Sequence, residues 1–307
     1  QQWTIWGREF DYNTIGRSVS RPNSDAKQIY PAIRRLCQVE IPRKKEFDAL
    51  VARMGAKKSQ PQDLVGNLHA WRSDYMVHRR AKFMTVSKMY STRMINTDGA
   101  HNGEGWKSHH ISDGSNFWYV DGNEYRNIFP VWKWRHIPGT TVEMKPNPIK
   151  REGMKRKGKS DFVGGVSDGK NGVATMQLIY GKMNVKKSWF YMGDYVVCLG
   201  ADLNCGGENP VHTTINQCVE SQTFECDLNK KIRRNKTNSL TGCGWVYHGK
   251  IGYYFPAKQN VMLELSERTG NWKDIGTTVN AKETKNVFDL WIDHGKTPKG
   301  LAYELSL

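Results

Sequence analysis

The chain has 307 residues, 38% of them hydrophobic, enough to bury one large core or two ordinary ones and to exclude a disordered polymer. A net charge of +16, from 46 Lys and Arg against 30 Asp and Glu, favours polyanionic partners, whether nucleic acid, an anionic membrane surface or an acidic glycan. No apolar run approaches the roughly 20 residues that span a bilayer, so no membrane span is expected.

Residue 1 is Gln, and no basic-then-apolar leader follows it, so any signal peptide is expected to have been removed or to lie upstream. Ile29, Ile33 and Leu36 recur at helical spacing, as do Phe47, Leu50, Val51 and Met54, and the first 60 residues read as helical. Ser24 suits an N-cap, and Ile41-Pro42 divides two helices with a short bend. From about residue 70, aromatic and β-branched runs alternate with Gly, Asn and Asp clusters, the texture of many antiparallel strands. Trp132 and Trp134 alternate as on a strand, one toward the core and one toward a cleft.

Lys145–Lys159 carries seven basic residues with Pro146, Pro148, Gly153 and Gly158, which predicts an exposed loop. Val211, Thr213, Ile215 and Val219 predict one alternating strand face. Lys230, Lys231, Arg233, Arg234 and Lys236 form a second basic cluster in a turn that also contains the sequon Asn235-Lys-Thr237. Trp245–Tyr247 and Ile251–Phe255, joined through His248-Gly249-Lys250, predict a hairpin, and Asn286–Ile292 a further strand. No fixed-period repeat is present, which disfavours a propeller or solenoid. Six cysteines lack zinc-site spacing; most read as core residues, with one bridge permitted among Cys205, Cys218 and Cys226. His78 reads as a strand-ordering or solvent-facing side chain, and His101, His109 and His110 lack the spacing of a metal site.

Gly16-Arg17-Ser-Val-Ser-Arg21 places two guanidinium groups four residues apart, able to grip a carboxylate or sulfate. Then come Trp71-Arg-Ser-Asp-Tyr75, His78-Arg-Arg80, Ser91-Thr-Arg93, Asn102-Gly-Glu104-Gly-Trp-Lys107, Ile128-Phe-Pro-Val-Trp-Lys-Trp134 and Ile137-Pro-Gly-Thr-Thr141. In this order, and with Gly270-Asn-Trp272, Phe288–Gly295 and Tyr303, they resemble polysaccharide lyase family 8 across essentially the whole chain. That family includes chondroitin, hyaluronan and xanthan lyases.

The resemblance implies a mainly β fold: a large antiparallel super-sandwich over 61–307, preceded over 1–60 by the end of an α/α toroid domain. It implies β-elimination on a uronate glycan, in which the C5 proton is removed and the C4 oxygen leaves. In the family a Tyr, a His and an Asn of the helical domain handle the protons and the carboxylate. The sequence starts too near the arginine pair to contain them, so the chain by itself is expected to be inactive. Arg17 and Glu104 carry over as catalytic-site residues, with Glu104 orienting its neighbours, and Arg21 carries over as a substrate-binding residue. Asn102 and Lys107 are further candidate substrate contacts. The family commonly has Asn after this glutamate, where Gly105 stands here, which puts the local contacts in question.

No cofactor is required by this reading; the resemblance allows calcium as a structural ion, which some family members bind in the sandwich, with its ligands unassigned in this sequence. The expected partner is an acidic polysaccharide, met as a monomer in a secreted or periplasmic bacterial setting. The competing reading is a non-catalytic module that binds acidic glycans. Nucleic-acid binding has only the net charge in its favour, because no recognised nucleic-acid motif is present.

Overall fold

The computed structural model describes residues 2–55, 64–146, 155–228, 230–257, 259–277 and 279–307. The boundary expected at 60/61 and the middle of the basic segment Lys145–Lys159 lie outside the described residues.

The N-terminal segment is not helical throughout. Ile5–Trp6 and Glu9–Phe10 pair as a short antiparallel hairpin. Trp6 is fully buried, with the Arg79 guanidinium 5.3 Å from its ring centre, and its Nε1 donates to Val120 O. Docking of that aromatic outweighs helix propensity. The two expected helices follow as α1 (Tyr30–Leu36) and α2 (Lys44–Gly55). Ile33, Leu50 and Met54 form a small second core with Ile5 and Ala26, whereas Leu36, assigned to the same stripe, is exposed. Asp25, not Ser24, is the cap: its carboxylate accepts from Lys27 N at the turn that leads into α1.

Three larger antiparallel sheets make up the rest. A four-stranded sheet runs in chain order through Gly66–Ala70, Tyr75–Arg79, Met84–Lys88 and Ser115–Tyr119. A five-stranded sheet has the order Thr237–Ser239, Val261–Asn271, Lys282–Lys296, Pro210–Val219, Thr141–Glu143. The eight-stranded sheet contains the expected hairpin, now Trp245–His248 with Ile251–Tyr254, and the long strands Gly172–Tyr180, Met183–Met192 and Tyr195–Cys205. Ala174, Met176 and Leu178 on one strand, with Val185, Trp189 and Tyr191 on the next, alternate inward into a core continuous with the other two sheets.

Two strand expectations change in detail. The register slips between Thr214 and Asn216, so after this bulge Cys218 rather than Val219 continues the face begun by Val211 and Thr213. Trp132 and Trp134 lie beyond the 3-10 turn Phe129–Val131 rather than on a strand. Both are buried, with ring centres 5.4 Å apart, and neither lines a cleft. All six cysteines are free thiols, so Cys205, Cys218 and Cys226 form no bridge. His78 is buried and donates through Nε2 to Gly193 O at 2.7 Å.

That 3-10 turn presses on Val261–Asn271, where a Cβ on Gly270 would stand 2.0 Å from Pro130 O. Backbone cannot swing aside as a side chain does. Gly270→Ala is therefore expected to cost about 1–3 kcal/mol by overpacking, read from the urea midpoint at unchanged slope.

A buried carboxylate in the five-stranded sheet is paired with several cations. Asp289, fully buried, accepts from His136 Nδ1 at 2.9 Å and Arg268 Nη2 at 2.9 Å, with Lys133 Nζ 3.3 Å away. Burial works to raise its pKa, but His136, Lys133 and Arg268 hold it well below the usual carboxylate range. Burial pushes His212, His248 and His294 down to about 4 from 6.5. As pH falls through 6.5 the unfolded chain takes up protons that these folded imidazoles refuse until about 4. These histidines alone lower stability across that window, while Asp11 and Glu124, whose carboxyls burial raises to about 6 and about 7, act in the opposite direction. Relative to the wild type, His248→Gln should lose less melting temperature between pH 6.5 and pH 4, and an identical profile would contradict a neutral buried His248.

Candidate functional site

The site is assembled by two irregular segments that glycines allow to approach. Arg17 lies on the 3-10 turn Gly16–Ser20, and Arg21 caps its end. Gly16 sits at φ +55, and a Cβ there would fall 2.5 Å from Asp98 Oδ1. The freed space lets Asp98 accept from Arg17 N at 2.8 Å and from Arg17 Nη1 at 2.7 Å. Glu104 follows the turn His101–Gly103, in which Asn102 and Gly103 adopt positive φ, as do Ala100 before it and Gly105 after it. This tight path is pinned by Thr277 N donating to Gly103 O and by a bridge between Glu104 and Gly276.

Glu104 is 2% exposed and holds both arginines. Its Oε1 accepts from Arg21 Nε at 2.6 Å; its Oε2 accepts from Arg21 Nη2 at 3.0 Å and Arg17 Nε at 3.1 Å. Arg21's hydrogen bonds, followed by those of Arg17, lower the Glu104 pKa from 4.5 against the effect of burial. Glu104 is thus a carboxylate at neutral pH, suited to fixing two guanidinium groups and not to donating a proton. Its stabilisation is present above pH 4.5 and is lost as pH falls below that value through the lowered one.

Arg17 and Arg21 each keep one terminal nitrogen, Nη2 and Nη1 respectively, without a hydrogen bond among the described residues. Their side chains are 27% and 45% exposed, so two oriented cationic donors face outward from a buried anchor. The structure thus brings together Arg17, Arg21 and Glu104. It does not bring in Asn102 or Lys107, neither of which hydrogen-bonds to the trio; Asn102 is exposed and Lys107 half-buried. Asp98, which clamps Arg17, escaped sequence reasoning, since its only local cue is the turn-forming Thr97-Asp98-Gly99.

Gly105 has a structural reason. At φ +68 its missing side chain would lie 3.0 Å from both Cα and Cβ of Arg17, and its N–H donates to Ser20 Oγ at 3.2 Å. Glycine lets the arginine turn pack directly onto the Glu104 loop. Gly105→Asn is expected to displace Arg17 and to cost about 1–3 kcal/mol, read from the urea midpoint. An unchanged midpoint would contradict this packing role.

Among the described residues no group of three or more His, Cys, Asp or Glu is placed to hold a metal ion. His109 and His110 are instead buried side by side, their rings 3.9 Å apart, and His110 Nδ1 contacts Asp113 Oδ2 at 2.6 Å.

Layered antiparallel sheets with a buried carboxylate holding two arginines at their edge are the architecture of a super-sandwich. The sequence of residues 65–307 matches the description "Polysaccharide lyase family 8, super-sandwich domain". The chain is 32% identical over 307 aligned positions to chondroitinase-AC of Pedobacter heparinus, covering 97% of this chain and 43% of that protein. It is 30% identical to hyaluronate lyase of Thermasporomyces composti, covering 75% of this chain and 31% of that one. A solved structure of chondroitinase AC lyase, from a study of enzyme–oligosaccharide complexes, superposes with a TM-score of 0.91 at 30% identity. That superposition covers all of this chain and 46% of the other. Xanthan lyase of Paenibacillus shares the fold with a TM-score of 0.86 at 22% identity, over 99% of this chain and 34% of that one. The chain belongs to polysaccharide lyase family 8. It spans less than half the length of the relatives it matches.

Proposed function

We propose that the whole protein is a lyase that cleaves uronate-containing acidic glycans of the chondroitin or hyaluronan type by β-elimination. The observation that carries this reading is the capture of both arginines by one buried carboxylate, which leaves each with an outward donor. In the reaction the C5–H bond breaks and its electron pair forms the C4=C5 double bond. The C4–O bond then breaks, and the departing oxygen takes a proton. Arg17 hydrogen-bonds near the bridging oxygen, Arg21 holds a substrate anion, and Glu104 positions both. The proton-transfer groups, by resemblance to the family, are a Tyr and a His of the helical domain.

A polymeric substrate fits a secreted or periplasmic monomer. The test is to incubate the full-length protein with chondroitin, chondroitin sulfate and hyaluronan and to follow the ultraviolet absorbance of unsaturated uronate. Salt-sensitive binding without any absorbance gain would instead favour a non-catalytic glycan-binding module.

A further inference from the structure

The arginine site carries little net charge, because Asp98 and Glu104 offset Arg17 and Arg21. A long polyanion therefore needs cations beyond it. The stem of the basic segment has an ordered place nearby. Lys157 bridges Ile95, Asn96 N donates to Arg156 O at 2.8 Å, and Lys155 N donates to Thr97 O at 3.1 Å. Gly158 N donates to Ser91 O at 2.8 Å, and a Cβ on Gly158 would meet that backbone.

Arg156 is the inward anchor of this stem. Its guanidinium lies 4.1 Å from the Tyr180 ring centre, and its Nη2 donates to Tyr90 OH at 2.7 Å. Lys155, Lys157 and Lys159 are exposed and alternate with half-buried Arg156 and Gly158. Lys155 sits at φ +56 in a turn, and the segment beyond it is held by the bridge between Lys157 and Ile95. The antiparallel register sets Lys155 beside Thr97, whose neighbour Asp98 clamps Arg17, and carries Lys157 and Lys159 progressively away.

We propose that Lys155, Lys157 and Lys159 form an anion track continuing from the Arg17–Arg21 site. The track takes the carboxylates or sulfates of sugars flanking the cleaved bond. This rests on the lyase reading and adds where the remainder of an acidic polysaccharide lies. The lysines touch no reacting atom; they set affinity for long chains through Coulomb attraction, which salt screens.

The test uses the full-length protein with Lys155, Lys157 and Lys159 all changed to Gln. Melting temperature should be unchanged, because the Arg156 anchor is retained. On polymeric chondroitin sulfate, KM should rise about tenfold, kcat at saturation should hold, and the salt dependence of kcat/KM should become shallower. On a tetrasaccharide the variant should match the wild type. Unchanged KM and salt dependence on the polymer would overturn the track, as would an equal loss on the tetrasaccharide. Should the wild type yield no unsaturated product, the lyase reading fails separately. Retention on immobilised chondroitin sulfate then decides the track, with earlier elution of the variant in salt supporting it and co-elution overturning it.

Discussion

Replacing Arg17 with Ala in the full-length protein is expected to lower kcat/KM on chondroitin or hyaluronan by about 10²- to 10³-fold, mostly through kcat. That is the usual scale for removing one aimed donor from a site where charge develops on oxygen. Arg17 contacts Asp98 and Glu104 through separate nitrogens and keeps a further donor for substrate. Lysine offers a single ammonium and cannot span the three directions, so Arg17→Lys should recover little of the loss. The main-chain bond from residue 17 to Asp98 and the Arg21–Glu104 pair persist in either variant, so folding should survive. Steady-state kinetics with a melting-temperature control make the check. Activity within threefold of wild type would remove Arg17 from the reaction.

The second large effect is on stability. Asp289→Ala should destabilise the fold by about 3–5 kcal/mol, because it leaves buried His136 without its carboxylate partner and Arg268 with Glu264 alone. His136 is 5% exposed and the Arg268 side chain 12% exposed, so neither is free to turn to water; Lys133, 41% exposed, is. Asp289→Asn keeps an acceptor and should cost less. Equilibrium unfolding compares the two, and an alanine variant within 1 kcal/mol of wild type, about the scale of an exposed pair, would show that the network contributes little.

Much of the fold was legible because it obeys short-range rules. The hairpin Trp245–Tyr254 carries its turn in Gly249-Lys250, and Lys282–Lys296 contains the apolar run that predicted it. The errors share one cause: tertiary packing overrode a local pattern. Trp6 pulls its neighbours into a hairpin docked on the four-stranded sheet, and the bulge at Ile215 resets a face that strict alternation would keep. Trp132 and Trp134 have strand spacing, yet an aromatic cluster with Phe117, Tyr125 and Phe129 buries both.

At the site, Arg17, Arg21 and Glu104 were legible from the resemblance, and their convergence is geometric. The bond joining residues 17 and 104 spans 87 positions, and no periodicity encodes it. Asp98 was invisible for that reason. Gly105, which looked like a departure in need of excuse, is explained by the 3.0 Å approach of Arg17.

The central claim is elimination at a uronate by a protein whose arginine wall is this chain. Mass spectrometry of the products from chondroitin or hyaluronan tests it most directly. Elimination predicts new non-reducing ends lighter by one water than hydrolysis would leave, formed by the full-length wild type and depleted in proportion to activity with Arg17→Ala. Hydrated ends, or intact polymer after incubation with folded full-length protein, would contradict the account.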